Sequence, residues 1–295
     1  MELNNIMTKK LILFVLLLFS FSNAVEIKVQ VLGSGGPLTY KRASTSYLIW
    51  IDGKSKILVD LGSGSLLRFN EVNRNIEDIE IVLLTHFHTD HTVDFSEFVK
   101  SLYFYDAKKK ITVIAPDGNE YFPDFKQFTD ALFGEEGAYR YLSSTFKQNI
   151  NPIQTSSKIG KVKEFQFKNY KIYSLGVNHG IVPALAYKIV IGNKIISFSG
   201  DTSARTNNLI DFVKNSDIFV AHMAINQNSN IYAKRLHMTP YRIGEIAKKA
   251  NVKLLVLSHR MKRTIGHEEE NLKEIRKNYK GKIILAEDKD FYILK

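Results

Sequence analysis

The chain has 295 residues, 44% of them apolar, a formal net charge of +11 and no cysteine. That is enough apolar material for one large domain or two small ones, and the lack of cysteine excludes disulfides, thiolate nucleophiles, thiolate metal ligands and a lipid-bearing N-terminal cysteine. The lysines are scattered, with only short runs at Lys108-Lys109-Lys110 and Lys262-Arg263, so the charge reads as solvation with a bias toward anionic partners, and nucleic acid is an open but not favoured partner.

In chain order, Lys9 and Lys10 come first, then the apolar run LILFVLLLFSF (11–21) and the small residues Ser22-Asn23-Ala24. Basic, apolar and small segments in that order have the layout of a secretory signal peptide. The apolar run falls short of the ~20 residues that a membrane-spanning helix needs. The expectation is a signal peptide over 1–24, a single domain over 25–295, a periplasmic or secreted location and no stable membrane anchor. Alternating apolar and β-branched residues then predict strands near 26–32, 46–51, 56–60, 80–84, 111–114, 162–167, 171–177, 184–191, 194–199, 217–221, 253–258, 282–286 and 290–293. Helical spacing is clearest at 93–103, 240–250 and 268–278, with further helices expected near 64–73, 119–131, 136–147 and 206–214. Turns at Asp52-Gly53 and Gly192-Asn193 predict hairpins. Strands and helices mix throughout with no repeat or linker, which predicts an α/β fold of two sheets packed face to face with helices outside.

Polar residues gather where strands end. The strand EIVLL (80–84) runs straight into THFHTDH (85–91). His86 and His88 lie two apart, so an extended or tightly turned loop can aim both imidazoles the same way, while Asp90 and His91 turn toward a second point. One short loop can therefore feed two adjacent metal ions, and imidazole with carboxylate suits zinc, iron or manganese. Three later strand ends repeat the arrangement: His179 after KIYSLGV, Asp201 after KIISFS and His259 after KLLVLS. Each alone has a structural reading, as a hydrogen-bonded surface histidine or a Gly-Asp turn; with the first loop they form a set. The stretch GSGG (33–36) lacks the Lys-Ser/Thr of a Walker loop and reads as a tight turn lining the site.

HFHTDH followed by His179, Asp201 and His259 resembles the metallo-β-lactamase superfamily over residues 26–293. VLGSGGP (31–37), ILVDLGSG (57–64), FSGDTS (198–203) and LHMTPYRIGEIAKKANVKLLVLSH (236–259) are similar to its ribonuclease Z, arylsulfatase and phosphodiesterase branch. The resemblance implies a four-layer αββα sandwich with a dinuclear site on its open edge. It assigns His86, His88 and His179 to a first divalent ion and Asp90, His91 and His259 to a second, with Asp201 bridging; zinc is expected, with manganese or iron as alternatives. Two such ions about 3.5–4 Å apart lower the pKa of a shared water toward about 7, and hydroxide then attacks phosphorus or a carbonyl. Asp90 and His237 are the expected catalytic residues. His237 falls just before the Thr239-Pro240 helix start, where the branch carries a histidine used in phosphodiester cleavage, so it is the expected proton donor to the leaving group; the other reading is a helix-capping histidine. Ribonuclease Z enzymes tend to carry a glutamate that partners this donor near VAHMAI, where His222 stands instead. His267, among glutamates, is expected to face solvent.

Departures narrow the chemistry. The resemblance to cysteine-using lactamases fails for want of cysteine, the cysteine-free lactamases lack an aspartate at the Asp201 position, and glyoxalase-type thioesterases carry a helical C-terminal domain where this chain ends in strands. Lactonases share the ligands, but HMTP (237–240) favours the phosphodiesterase branch. The Gly- and Pro-containing arm by which ribonuclease Z grips tRNA is not seen, and an exported protein would not meet precursor tRNA. The expected function is hydrolysis of a small anionic phosphodiester, with a lactone, a sulfate ester or RNA as alternative substrates, a non-catalytic metal-binding protein as a third class, and a homodimer left open. The aromatics of 116–150 (Tyr121, Phe122, Phe125, Phe128, Phe133, Tyr139, Tyr141 and Phe146) are expected either to wall the pocket or to pack on the sandwich.

Overall fold

In a computed structural model, which describes residues 25–72, 75–105 and 109–294, the strands form two seven-stranded sheets. The expected signal peptide lies outside the described residues. Strands β1 (Ile27–Gly33), β2 (Ser46–Ile51), β3 (Lys54–Val59), β4 (Ile81–Leu83), β5 (Ile111–Pro116) and β6 (Ile150–Thr155) build the first sheet. The second comprises β7 (Val162–Gln166), β8 (Lys171–His179), β9 (Val182–Ile191), β10 (Lys194–Phe198), β11 (Ile218–His222), β12 (Leu254–Ser258) and β13 (Lys282–Leu285). The last strand, β14 (Phe291–Leu294), returns to the first sheet and pairs antiparallel with β1.

Side-chain alternation explains the layering. In β2, Tyr47 and Ile49 enter the layer between the sheets while Leu48 faces the helices; in β11, Ile218 and Val220 point inward while Phe219 and Ala221 face outward. One outer layer holds α1 (Ser65–Val72), the single turn α2 (Thr89–Thr92), α3 (Phe95–Leu102), α4 (Phe125–Phe133) and α5 (Ser143–Asn149). The other holds α6 (Asn208–Phe212), α7 (Ile231–Leu236), α8 (Pro240–Lys249) and α9 (Glu268–Arg276). The four-layer αββα expectation is met. Among the described residues no helix is long and apolar enough to cross a membrane.

The differences from expectation are local. Strand β6 went unpredicted because Pro152 interrupts its pattern; it is the edge strand of its sheet, where a missing N–H is tolerated. The helix expected over 119–131 begins only at Phe125, because Asp124 and Gln127 form a reciprocal capping box there. The helix expected over 136–147 is a 3₁₀ turn at Arg140–Leu142 followed by α5, and the one expected over 93–103 is α3, preceded by the separate turn α2. Helix α7 has no buried residue, so no apolar stripe announces it.

The parallel strands β3, β4 and β5 of one sheet and β10, β11 and β12 of the other deliver their C-terminal ends to a common edge. The segments that follow carry Asp60, residues 85–91, Asp201 and His259, and His222 is the last residue of β11.

Candidate metal centre

Local backbone conformations aim these side chains. His88 is extended, and Asp90 and His91 then lie on the turn α2, so the loop reverses direction within four residues. Gly200 has φ +55° and stands where an added Cβ would lie 2.6 Å from the Leu185 carbonyl oxygen, so the turn that presents Asp201 requires glycine. Asp60 (φ +59°) and His259 (φ +57°) adopt the left-handed region without being glycine, at a cost of roughly 1–2 kcal/mol each. The GSGG turn serves the site structurally: a Cβ on Gly36 would come 2.5 Å from His259 Cε1, so glycine lets the backbone lie against that imidazole.

The structure brings the expected residues together. His86, His88 and His179 form one group, His91, Asp201, His222 and His259 a second, and His179, Asp201 and His237 a third, with the donor atoms of each group within 4.8 Å of one another. Asp90 joins the second group through its Oδ2, 3.1 Å from His259 Nε2 and 3.4 Å from His91 Nε2. Asp201 Oδ2 lies 3.7 Å from His179 Nε2 and 3.9 Å from His91 Nε2, so this carboxylate stands between the groups.

Hydrogen bonds fix which nitrogen of each imidazole is bare. His91 Nδ1–H donates to Asp60 Oδ2 (2.8 Å) and His179 Nδ1–H to the Leu236 carbonyl (2.9 Å), since both acceptors can only accept. Thr85 donates its hydroxyl proton to Asp60 Oδ2 (2.9 Å), leaving Oγ1 to accept from His86 Nδ1–H (3.1 Å). In their neutral forms all three Nε2 atoms carry lone pairs, that of His86 accepting from His88 Nδ1–H at 3.0 Å; against burial, Asp60 and Asp90 raise His91, so a metal bound there takes the place of a proton. His91 Nε2 and His179 Nε2 are buried with no hydrogen-bond partner. Uncompensated buried nitrogens of this kind, beside two carboxylates, fit a divalent metal.

His222 has a supporting place. Its Nδ1–H donates to Asp201 Oδ1 (2.8 Å), and its Nε2 then accepts from the Tyr47 hydroxyl (3.1 Å). Both ring nitrogens are thus engaged, and His222 orients Asp201. His237 is buried with Nδ1 3.6 Å from Asp201 Oδ2. It does not cap α8: the Thr239 hydroxyl accepts the Arg242 N–H there. His267 is exposed beside Glu270, as expected.

The electrostatics follow from burial and charge. Burial pushes His237 down to about 3, Asp201 opposing and His259 adding to it, and pushes His222 down to about 4 against the pull of Asp201. Burial alone would raise Asp90, but His91 and His259 outweigh it and hold this carboxyl far below its usual range. Burial likewise lowers His86 and His88, reinforced by neighbouring imidazoles. Neutral imidazoles and ionised carboxylates are the forms that bind metals.

Asp60 and Thr85 were not singled out by sequence reasoning. Asp60 is fully buried and accepts from Thr85 N (2.7 Å), Thr85 Oγ1 and His91. The available signal was its place at the end of the apolar run ILV, the same strand-then-polar pattern that marked the ligands. Four of the eight aromatics of 116–150 pack on the sandwich, Phe125 and Phe133 buried there, Phe128 stacked on Phe87 at 4.6 Å and Phe146 on Phe133, while Tyr121, Tyr139 and Tyr141 are exposed. Phe122 alone of that group approaches the site, 5.8 Å from the His88 ring. A cavity of about 550 Å³ lined by Ile79, Tyr105, Phe167 and Tyr170 lies at the opposite ends of β4 and β5 and holds no histidine.

Comparison with known proteins agrees with this geometry. The chain is 26% identical to a ribonuclease Z of Clostridium novyi over 91% of its own length and 99% of that protein. It shares its fold with the metallo-β-lactamase fold protein YhfI of Bacillus subtilis (TM-score 0.73, 22% identity, 90% of this chain and 99% of that one). Human tRNase Z, short form, has the same fold (TM-score 0.67, 17% identity, 90% and 98% covered). Residues 27–259 match the family described as "Anti-Pycsar protein Apyc1". With most of its length covered by that match, the chain belongs to the anti-Pycsar protein Apyc1 family, in the ribonuclease Z and phosphodiesterase branch of the metallo-β-lactamase superfamily of hydrolases.

Proposed function

We propose that the protein is an exported, dinuclear metal-dependent hydrolase of small phosphodiesters. The observation that carries this reading is the convergence of the partnerless buried nitrogens His91 Nε2 and His179 Nε2, with His86 and His88 beside them, on Asp90 and Asp201. His86, His88 and His179 would hold one ion, Asp90, His91 and His259 a second, and Asp201 stands between them. Divalent ions bound there, zinc foremost and manganese or iron as alternatives, supply Lewis acidity toward an ester oxygen and lower the pKa of water.

The chain's own residues do the rest. Asp60, Thr85 and the Leu236 carbonyl lock imidazole tautomers, and His222 holds Asp201 in one rotamer. His237 is placed to hold a proton near the leaving oxygen; a phosphodiester anion beside it opposes the effect of burial and favours its protonated form. A small substrate is supported by the wall on one side of the cluster, where Phe122 approaches His88 and the Asn119 side chain donates to the Ile181 carbonyl at 2.7 Å, tying that loop to the β8–β9 turn. Export rests on the three-part N-terminal sequence.

The test is a panel of bis(p-nitrophenyl) phosphate, p-nitrophenyl sulfate and a simple lactone, given to residues 25–295 before and after chelation, beside Asp201→Ala. Turnover of the phosphodiester alone, lost on chelation and in the variant, is expected; preference for the sulfate or lactone would overturn the substrate assignment. The ribonuclease Z relatives favour a second reading, RNA cleavage. It predicts an RNA affinity that falls steeply with salt.

A further inference from the structure

The pair Lys262-Arg263 reads in the sequence as one more surface run, yet the fold singles out its arginine. The two residues follow His259 on the loop after β12. Arg263 Nε donates to the Ala224 carbonyl at 2.7 Å, two residues beyond His222 on the loop after β11. The guanidinium is therefore strung between the loop that carries His259 and the loop that carries the partner of Asp201. Its two outer nitrogens have no hydrogen-bond partner, and no carboxylate lies within ion-pair distance of it among the described residues.

The turn beneath it is rigid. Thr264 is fully buried; its N–H donates to the Met261 carbonyl (2.8 Å), and its hydroxyl accepts the Met261 N–H (3.2 Å). Met261 packs on Ala224 and Ile225. The Asn226 side chain donates to the Arg263 carbonyl (2.8 Å) and is itself fixed by Asn271 (2.8 Å). Arg263 itself is exposed, but the turn that carries it is braced. Such bracing is what a residue needs when it must present a planar donor pair at one place.

Four residues beyond His259 and bonded two residues beyond His222, the guanidinium lies within electrostatic reach of His237 and Asp201.

We infer that Arg263 is a substrate-binding residue, whose outer nitrogens take a non-bridging oxygen of the phosphodiester at the mouth of the histidine cluster. This rests on the phosphodiesterase reading above and adds to it the group that recognises the anion. Arginine suits the role because its fork donates two parallel, charge-assisted bonds to a phosphate group.

The experiment measures inorganic phosphate binding by titration calorimetry, and bis(p-nitrophenyl) phosphate kinetics, on metal-loaded wild type, Arg263→Gln and Arg263→Lys. Glutamine keeps an N–H for the Ala224 carbonyl and removes the charge, so the turn should survive; metal content and circular dichroism are compared first. The expected result is a phosphate affinity weaker by about tenfold or more in Arg263→Gln, partly kept in Arg263→Lys, with KM raised far more than kcat is lowered. Phosphate affinity equal in wild type and Arg263→Gln would overturn the assignment. The calorimetry separates the two ideas: an affinity that depends on Arg263 in a protein that never cleaves the diester sinks the phosphodiesterase reading and keeps the anion site, and turnover with no dependence on Arg263 does the reverse.

Discussion

Asp60→Asn isolates the contribution of a residue outside the expected ligand set that fixes one of its members, His91. The native carboxylate, fully buried, accepts three hydrogen bonds: from Thr85 N at 2.7 Å, from Thr85 Oγ1 at 2.9 Å and from His91 Nδ1 at 2.8 Å. Asparagine has the same shape, and its carbonyl oxygen can keep the Thr85 N–H bond. Its NH₂ then faces both the Thr85 hydroxyl and the His91 Nδ1–H, donor against donor. His91 relieves the conflict by moving its proton to Nε2, the nitrogen that is bare in the native protein. A hydrogen bond to a charged group is worth roughly 1.5–3 kcal/mol, so metal affinity should fall about 10–100-fold, the range usual for residues that orient a histidine ligand. The assay is competition for zinc against a chromophoric chelator, with thermal unfolding of the metal-free proteins as a folding control. A variant that folds normally and holds zinc as tightly as the wild type would refute the tautomer argument.

Three further outcomes follow from the same geometry. His237→Gln should keep its metals and lose about 10²–10⁴-fold in turnover of an aryl-unactivated phosphodiester, the range for a proton donor; kinetics within twofold of wild type, at equal metal content, would remove His237 from the reaction. Gly36→Ala places a methyl group 2.5 Å from His259 Cε1, so the ring must move; zinc competition should show weakened binding, and unchanged binding would show that the loop yields instead. Glu80, bonded to Lys56 Nζ and to the Tyr170 hydroxyl at 2.8 Å each, is held below the usual carboxylate range by those contacts in spite of burial. A depressed folded pKa adds stability above the unfolded value of about 4.3 and loses it as pH falls through the folded value. Being half-exposed, it should contribute under about 1 kcal/mol, so urea melts of Glu80→Gln should show a small deficit at pH 7 that vanishes in acid; a deficit constant with pH would contradict the sign.

Much of the fold was legible because the strands alternate cleanly, as in Tyr47, Leu48 and Ile49, where period-two patterning and the two-sheet packing say the same thing. The positions of His86, His88, Asp90, His91, His179, Asp201 and His259 were legible for a related reason: they stand where apolar strands end, parallel strands carry most of those ends to one edge, and the antiparallel β8 brings His179 there. What sequence could not show depends on contacts between distant segments. Asp60 reaches His91 across 31 positions, His222 reaches Asp201 across 21, and Arg263 reaches Ala224 across 39. None of these pairings has a periodicity of its own. Helix α7 and strand β6 escaped for local reasons, an all-exposed surface in one and a proline on a sheet edge in the other.

The most direct test of the central claim is a metal titration of the metal-free protein, following bis(p-nitrophenyl) phosphate hydrolysis and bound metal together. The rate should rise until two equivalents of metal are bound and then level, with no such rise in Asp201→Ala. A protein that binds two equivalents and hydrolyses nothing would contradict the claim.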